Sequence, residues 1–596
     1  MKKLLASVAA LALMSLGLAQ TFQWPENYAP TATQGGNIQE TTFGDFTTLN
    51  IALSSNASES NVIGMTAGPS TVYRDWLGTR TFRNEEGDLN LLWASEIEEV
   101  VPAQEYIVTL KEGWTWSDGT EMTADDVIAT FTILGDPEVE SNWFSCANVE
   151  EEPVEFEKLG TYQYRFRTPI PQVNAVAVND CTNSGLLPAH VFMPVYEAEG
   201  AEGIKALWGV DTPVEELVSG GPYIISEFRP GERIVLEKNP TYGEFVQATD
   251  GSPLPGPDSW TVTITADANA ELALCTTGQC SFYYPSNLDQ VRAIQQAVQN
   301  STIQGEFFPN IGPGSFTDYL FYNFNNTDEC KANMFQDERF RQAINLMIDR
   351  QALIDAALGG LGVAGYDYNT EASAPFDASF LDPFEYSPDE GVTLLNDMGF
   401  TQTGNDGVLQ NPETGCRVAF DLQYNDGNDR RAQEALVISQ TAAPYGVSIN
   451  PRAVSVEVWG DSWGGTELPR AHDFDAQIGA LVGGDVDNPS GINVFTLASN
   501  LNGWNKSRTD VQPWEILLDR QTRDMDQELD LDERVEIYNT RAELMRQYLP
   551  LTPLISPSFH FYENMGSIWP VEVMDASSIE SPYRPGNYRQ NLIAPQ

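Results

Sequence analysis

Positive charge is what this sequence has least of. Its 596 residues include 32 Lys and Arg against 85 Asp and Glu, a formal net charge of −53. The carboxylates are scattered rather than gathered in a block, as on solvated surfaces and not in a tail. Such a field repels nucleic acid and anionic lipid and attracts cationic groups. Solubility, also in salty surroundings, is the plainer account of it.

Histidine is almost absent. His190, His472 and His560 are the only three, and none has a metal-ligand partner at i+2, i+3 or i+4. His472 stands near Asp473 and Asp475, a pattern that a surface loop explains. No CxxC pair offers a zinc site. No GxSxG elbow and no P-loop is present. Asn425-Asp426-Gly427-Asn428-Asp429 has oxygens for calcium but lacks the later Glu of an EF-hand, so it reads as a loop. Carboxylate pairs are everywhere and nothing marks one as the acid and base of a glycosidase. No cofactor, no metal and no enzyme activity are expected.

Long apolar runs are missing after the first residues, so no membrane span is expected. The first residues are a targeting signal. Lys2 and Lys3 precede an apolar Leu4–Leu18, and Gly17-Leu18-Ala19 offers small residues for cleavage before Gln20. No Cys lies near that site to carry a lipid. A soluble, exported, periplasmic protein is expected.

The six cysteines are Cys146, Cys181, Cys275, Cys280, Cys330 and Cys416. An even number in an exported chain points to disulfides, with 15 possible pairings. Proximity favours Cys275–Cys280 around the turn TTGQ.

The length calls for two or three domains. Glu105–Leu110 alternates as a strand, Trp116–Thr120 is a tight turn, and Thr123-Ala-Asp-Asp126 has capping-box spacing for a helix. Thr47–Ile51 reads as a short extended piece and Val62–Leu77 as helical. Gly220–Ile225 and Arg233–Leu236 read as a hairpin, and Trp260–Thr265 and Tyr319–Phe324 as strands. Asp337–Leu358 reads as one amphipathic helix ending at Gly359-Gly360. Val418–Tyr424 is a strand, Arg430–Ala443 a helix, and Asp532–Tyr548 a last long helix before the extended Leu551–Phe561. This alternation of strands and helices predicts α/β lobes.

One stretch, Glu457–Pro489, stands out. Trp459 and Trp463 sit among glycines and carboxylates, and Arg470 follows. An apolar run, Ala476–Val482, then ends in Gly483-Gly484-Asp485. A strand that ends this way can set a charge at the rim of a sheet, where open α/β folds bind ligands.

Four places carry a family likeness. The first is Lys111-x-Gly113-x-x-Trp116-Ser117-Asp118-Gly119 followed by Thr123–Val127. The second is Gly220-Gly221-Pro222-Tyr223 with Leu236-Glu237-Lys238-Asn239-Pro240-x-Tyr242. The third is Phe340–Ile344 with Ile348-Asp349-Arg350. The fourth is the final helix with Pro550–Leu554. In order and spacing the chain resembles the family 5 extracellular solute-binding proteins, the dipeptide- and oligopeptide-binding receptors of ABC importers.

The resemblance implies a two-lobed periplasmic-binding-protein fold with an extra inserted domain and hinge-linked lobes around a central cleft. It divides the chain into a signal peptide (1–19), first-lobe segments (20–53, 219–310 and 551–596), an inserted subdomain (54–218) and a second lobe (311–550). That division favours Cys146–Cys181 and Cys330–Cys416 as the other two disulfides. It implies no enzyme activity, a peptide ligand, permease and ATPase partners in the inner membrane, and a monomer.

By the same resemblance, Asp485 matches the carboxylate that holds a peptide's α-ammonium. Trp463 and Arg470 match pocket residues, Trp459 lies beside them, and Ser55-Asn56-Ala57 matches the segment that pairs its backbone with an extended peptide. Gly479 and Val482 depart from the pattern, standing where an arginine and a tryptophan are expected, which implies a roomier pocket. The family also includes receptors for β-linked oligosaccharides. Trp459, Trp463 and Trp504 would suit sugar stacking, so an oligosaccharide is the alternative ligand.

Overall fold

The computed structural model describes residues 34–43, 45–54, 57–72, 91–141, 143–149, 152–173, 175, 185–247, 251–285, 287–313, 316–365, 384–456, 458–460, 474–482, 491–497, 502–505 and 510–563. In chain order, β1 (Asn37–Phe43) is followed by α1 (Ala57–Gly64). Next come β2 (Ala94–Val101), β3 (Glu105–Leu110), α2 (Ala124–Leu134), β4 (Glu155–Gly160), β5 (Gln163–Arg167) and α3 (Ala189–Ala206). The strands β2 to β5 form a sheet of their own in the order β2-β3-β5-β4.

The hairpin β6 (Tyr223–Arg229) and β7 (Arg233–Lys238) then meets β8 (Ser259–Thr265). Together with β1 these make a second sheet in the order β1-β8-β7-β6. One continuous core of buried side chains, from Ile38 to Phe282, underlies both sheets. Trp93, Trp116 and Trp260 are among its largest members. The capping box at α2 forms as its spacing predicts: the Thr123 side chain accepts from the Asp125 N–H, and Asp126 returns a bond to the Thr123 N–H at 2.8 Å.

After α4 (Ala268–Thr276) and α5 (Leu288–Gln299), the chain crosses through β9 (Glu306–Pro313) and β10 (Phe316–Tyr322). The second lobe continues with α6 (Glu338–Leu346), α7 (Arg350–Leu358), β11 (Gly362–Ala364), β12 (Ala419–Asn425), α8 (Asp429–Ala442), β13 (Ser448–Val454) and β14 (Ala476–Val482). It then runs through α9 (Pro513–Gln527), α10 (Leu531–Tyr548) and β15 (Leu551–Pro553), and β16 (Ile555–Glu563) returns to the first lobe. Its sheet has the order β13-β12-β14-β10-β15. A separate core, from Tyr319 to Ile555, fills this lobe.

The two crossings lie side by side. β9 pairs antiparallel with β16, and β10 pairs antiparallel with β15. The Leu554 N–H donates to the Asp318 carbonyl at 2.8 Å, and the Thr317 and Ser556 hydroxyls bond each other at 2.6 Å. Gly359, left-handed at φ 60°, ends α7 so close to Leu288 of the first lobe that a Cβ would collide with it. The ends of such crossing strands are the kind of place where hinge motion is absorbed.

Three local expectations differ. The stripe over 337–358 is two helices, because the Asp349 side chain accepts from the Ala352 N–H and starts a new helix there. Thr47–Ile51 is a turn instead of a strand. Its Asn50 accepts from the Ala52 N–H, and the Asn50 amide donates to the Ile204 carbonyl at 2.8 Å, a partner 154 residues away. Of the helix expected over Val62–Leu77, only Val62–Gly64 is helical, as the end of α1; residues 65–72 are turn and irregular chain, and 73–77 lie outside the described residues.

Among the described residues two disulfides are present, Cys275–Cys280 and Cys330–Cys416, with Cα atoms 4.8 Å and 5.7 Å apart. Cys181, expected to pair with Cys146, lies outside the described residues.

Candidate functional site

The carboxyl ends of β12, β13 and β14 share one edge of the second lobe's sheet. Asn425 at the end of β12 stands beside Val454 at the end of β13, and Phe316 at the start of antiparallel β10 stands beside Val482 at the end of β14. Open α/β sheets bind ligands at such an edge. The hinge crossing into β10 lies there too.

Two arginines open α8 on this edge. Positive charge at a helix N-terminus opposes the helix dipole, so adjacent Arg430 and Arg431 need a counter-charge. Asp318, fully buried in the middle of the sheet on β10, supplies it. Arg430 Nε lies 2.8 Å from Asp318 Oδ2, and Arg431 Nε lies 3.2 Å from Oδ1. Arg431 Nη1 also donates to Asn425 Oδ1 at 2.7 Å. One turn along α8, Glu434 is fully buried, with Oε1 3.6 Å from Arg430 Nε.

Burial, and then the negative charge of Asp318, hold the Glu434 carboxyl protonated well above the usual carboxylate range. The two guanidiniums thus share the Asp318 carboxylate, while Glu434 is pushed toward its neutral form. The arginine side chains are 10% and 8% exposed, so this surplus of positive charge is poorly screened by water. In a chain so poor in cations it is a distinctive feature. The sequence signal for it is the pair of adjacent arginines at a helix start just after a strand.

Trp459 belongs to the same cluster. Its ring lies against the Arg431 guanidinium, 4.7 Å from centroid to Cζ. Its indole N–H donates to the Ile478 carbonyl at 2.9 Å, and its carbonyl accepts from Gln477 Nε2 at 2.9 Å. These bonds tie Trp459 to β14 as part of the wall beneath the edge. Trp504 is a core residue: it is buried, with Nε1 bonded to Glu515 Oε1 at 3.0 Å, and has no face free for sugar stacking.

The run Ala476–Val482 is a strand with the bounds the sequence predicts. Trp463, Arg470 and Asp485 lie outside the described residues, as do Ser55 and Asn56; Ala57 is the first residue of α1. The oxygen-rich Asn425–Asp429 is a capping turn, in which Asn428 Oδ1 accepts from the Arg431 N–H at 3.1 Å. Among the described residues no group of three His, Cys, Asp or Glu side chains could hold a metal ion. No described helix is long and apolar enough to cross a membrane.

Two cores on paired crossing strands, with a charged sheet edge beside the crossing, define a two-lobed periplasmic binding protein. The comparisons with known proteins agree. Residues 89–503 match the family described as bacterial extracellular solute-binding proteins, family 5 Middle. The chain belongs to this family, whose members are substrate-binding receptors of ABC transporters.

It is 30% identical to a probable ABC transporter-binding protein of Deinococcus radiodurans, over 86% of each chain. Its fold is similar to that of the oligopeptide-binding protein AppA from Bacillus subtilis, solved in complex with a nonapeptide. That likeness has a TM-score of 0.72 and 21% identity, covering 92% of this chain and 99% of that one. It is also similar to the periplasmic binding protein MelB from Agrobacterium fabrum, solved in complex with stachyose, with a TM-score of 0.75 and 17% identity over 90% of this chain and 81% of that one.

Proposed function

We propose that the chain captures short peptides in the cleft between its lobes and delivers them to the permease and ATPase of an ABC importer in the inner membrane. It acts as a monomer, in the periplasm, after its signal peptide is cleaved before Gln20. The surplus positive charge of Arg430 and Arg431 carries this reading. It stands at the carboxyl edge of the second lobe's sheet, where a ligand carboxylate can approach it, and Asp318 lies at the hinge crossing.

Asp485 follows β14 by three residues and is assigned the ligand's α-ammonium. A carboxylate for the ligand's ammonium together with the arginine pair for its carboxylate would suit a zwitterion. Trp463 and Arg470 are assigned to the pocket wall, and Ser55-Asn56-Ala57 to backbone pairing with an extended peptide. The peptide-bound relative AppA supports this reading. The likeness to stachyose-bound MelB favours the second one, a sugar in the same cleft. The burial of Trp504 removes one of the three tryptophans that would have stacked it.

Thermal unfolding with tri- to pentapeptides, and in parallel with stachyose, tests the assignment. Peptides should raise the Tm of the wild type, and Asp485→Ala should abolish the rise. Stabilisation by stachyose alone would replace the peptide reading with the sugar one. Stabilisation by peptides that survives Asp485→Ala would remove the ammonium role.

A further inference from the structure

The lobes also touch away from their crossing strands. Gln172, just beyond β5, meets Asp526, in the last turn of α9, across 354 residues of sequence. Gln172 Nε2 donates to Asp526 Oδ2 at 2.9 Å. The N–H of the next residue, Val173, donates to the Asp526 carbonyl at 2.8 Å. That carbonyl is one of the last four of its helix, which have no partner within the helix itself.

The contact is firmly based on the first-lobe side. The Gln172 N–H donates to the Ala103 carbonyl at 2.7 Å, in the turn between β2 and β3, and nearby Ala175 is part of the first core. On the other side α9 packs along α10, and its Leu518 is part of the second core. Gln172 is 2% exposed and Asp526 5%, so the joint is dry. An amide held to a carboxylate in such a place is among the stronger hydrogen bonds. A hinge motion that parts the lobes has to break both bonds and wet both groups.

We propose that Gln172 and Asp526 latch the closed form, so that they set the open–closed equilibrium, and with it the affinity, without touching the ligand. The latch rests on the reading of the chain as a hinged receptor. Losing the Gln172 amide should move the equilibrium about tenfold or more toward the open form. A ligand held only by the closed form then leaves faster by the same factor.

The test uses the full mature chain freed of ligand, so its outcome does not depend on what the ligand is. Small-angle X-ray scattering gives the radius of gyration, and hydrogen exchange reads the Val173 amide. Gln172→Ala should enlarge the particle and raise exchange at Val173, while far-UV circular dichroism stays that of the wild type. Gln172→Glu should open it further at pH 8 than at pH 5, because it sets a second carboxylate against Asp526. Asp526→Asn keeps an acceptor oxygen but loses the charge, and should open the particle less than Gln172→Ala does. Unchanged scattering and unchanged Val173 exchange in both Gln172 variants would overturn the latch, whatever the ligand assays show. If neither peptides nor stachyose bind while these variants still open, the latch stands and the ligand assignment fails.

Discussion

Removing the Asp318 carboxylate should make Glu434 take over its charge. Asp318→Asn takes away the negative charge that faces both arginines, and breaking a buried ion pair costs about 3–5 kcal/mol. Part of that loss is recoverable. In the native protein Glu434 is held neutral by burial and by the charge of Asp318. Without that charge only burial opposes ionisation, while Arg430 Nε lies 3.6 Å away and favours it. Glu434 should then lose its proton at pH 8 and bring the cost of the variant down to about 2–3 kcal/mol.

Glu434→Gln alone exchanges one neutral side chain for another of the same shape and should cost less than about 1 kcal/mol. With both changes nothing in the cluster offsets the two guanidiniums. The double variant should therefore exceed the sum of the singles by about 1–3 kcal/mol. Urea unfolding of the four proteins, followed by far-UV circular dichroism, measures this. The excess should shrink at pH 5, where Glu434 keeps its proton in the single variant too. Additive losses at pH 8 would mean that Glu434 does not take over the charge, and a Glu434→Gln variant as damaged as Asp318→Asn would mean that it is already charged in the native protein; either would refute the reasoning.

The disulfides should differ in worth. Cys330–Cys416 has a sequence separation of 86, and chain entropy assigns such a loop about 4–5 kcal/mol. Cys275–Cys280, with a separation of 5, is worth about 2 kcal/mol on the same basis. Replacing each pair by serines and comparing urea midpoints checks the order; equal losses would count against loop entropy as the cause. A pH effect should come from Glu271, whose carboxyl is raised by burial from 4.5 to about 6. The folded state then holds this proton more tightly than the unfolded state does. Its contribution is full below about pH 4.5 and is lost as pH rises through 6. Glu271→Gln should therefore stabilise the protein by about 1–2 kcal/mol at pH 8 and leave it unchanged at pH 4, as read by thermal unfolding.

Elements set by local chemistry were legible from the residues alone. The α2 capping box joins groups three residues apart, and β14 is bounded by an apolar run that stops at glycines. Elements set by distant partners were not. The turn at Thr47–Ile51 depends on Asn50 reaching Ile204, 154 residues away. At the candidate site the sequence pointed to residues on the loops around β14. The cluster found among the described residues instead joins Asp318 to Arg430 and Arg431, more than 110 positions apart.

The sequence by itself pointed to the class of protein: a chain poor in cations, with alternating strands and helices and four short motifs that resemble those of a solute-binding family. These are properties of composition and of short-range pattern, which survive without knowledge of the fold. Only the tertiary structure decided which charges meet. It brought one aspartate between two arginines and buried Glu434 beside them. It sent Trp504 into the core and closed Gln172 on Asp526. Each of these depends on burial and on partners far apart in the chain, and both the strength and the sign of an electrostatic effect follow from burial.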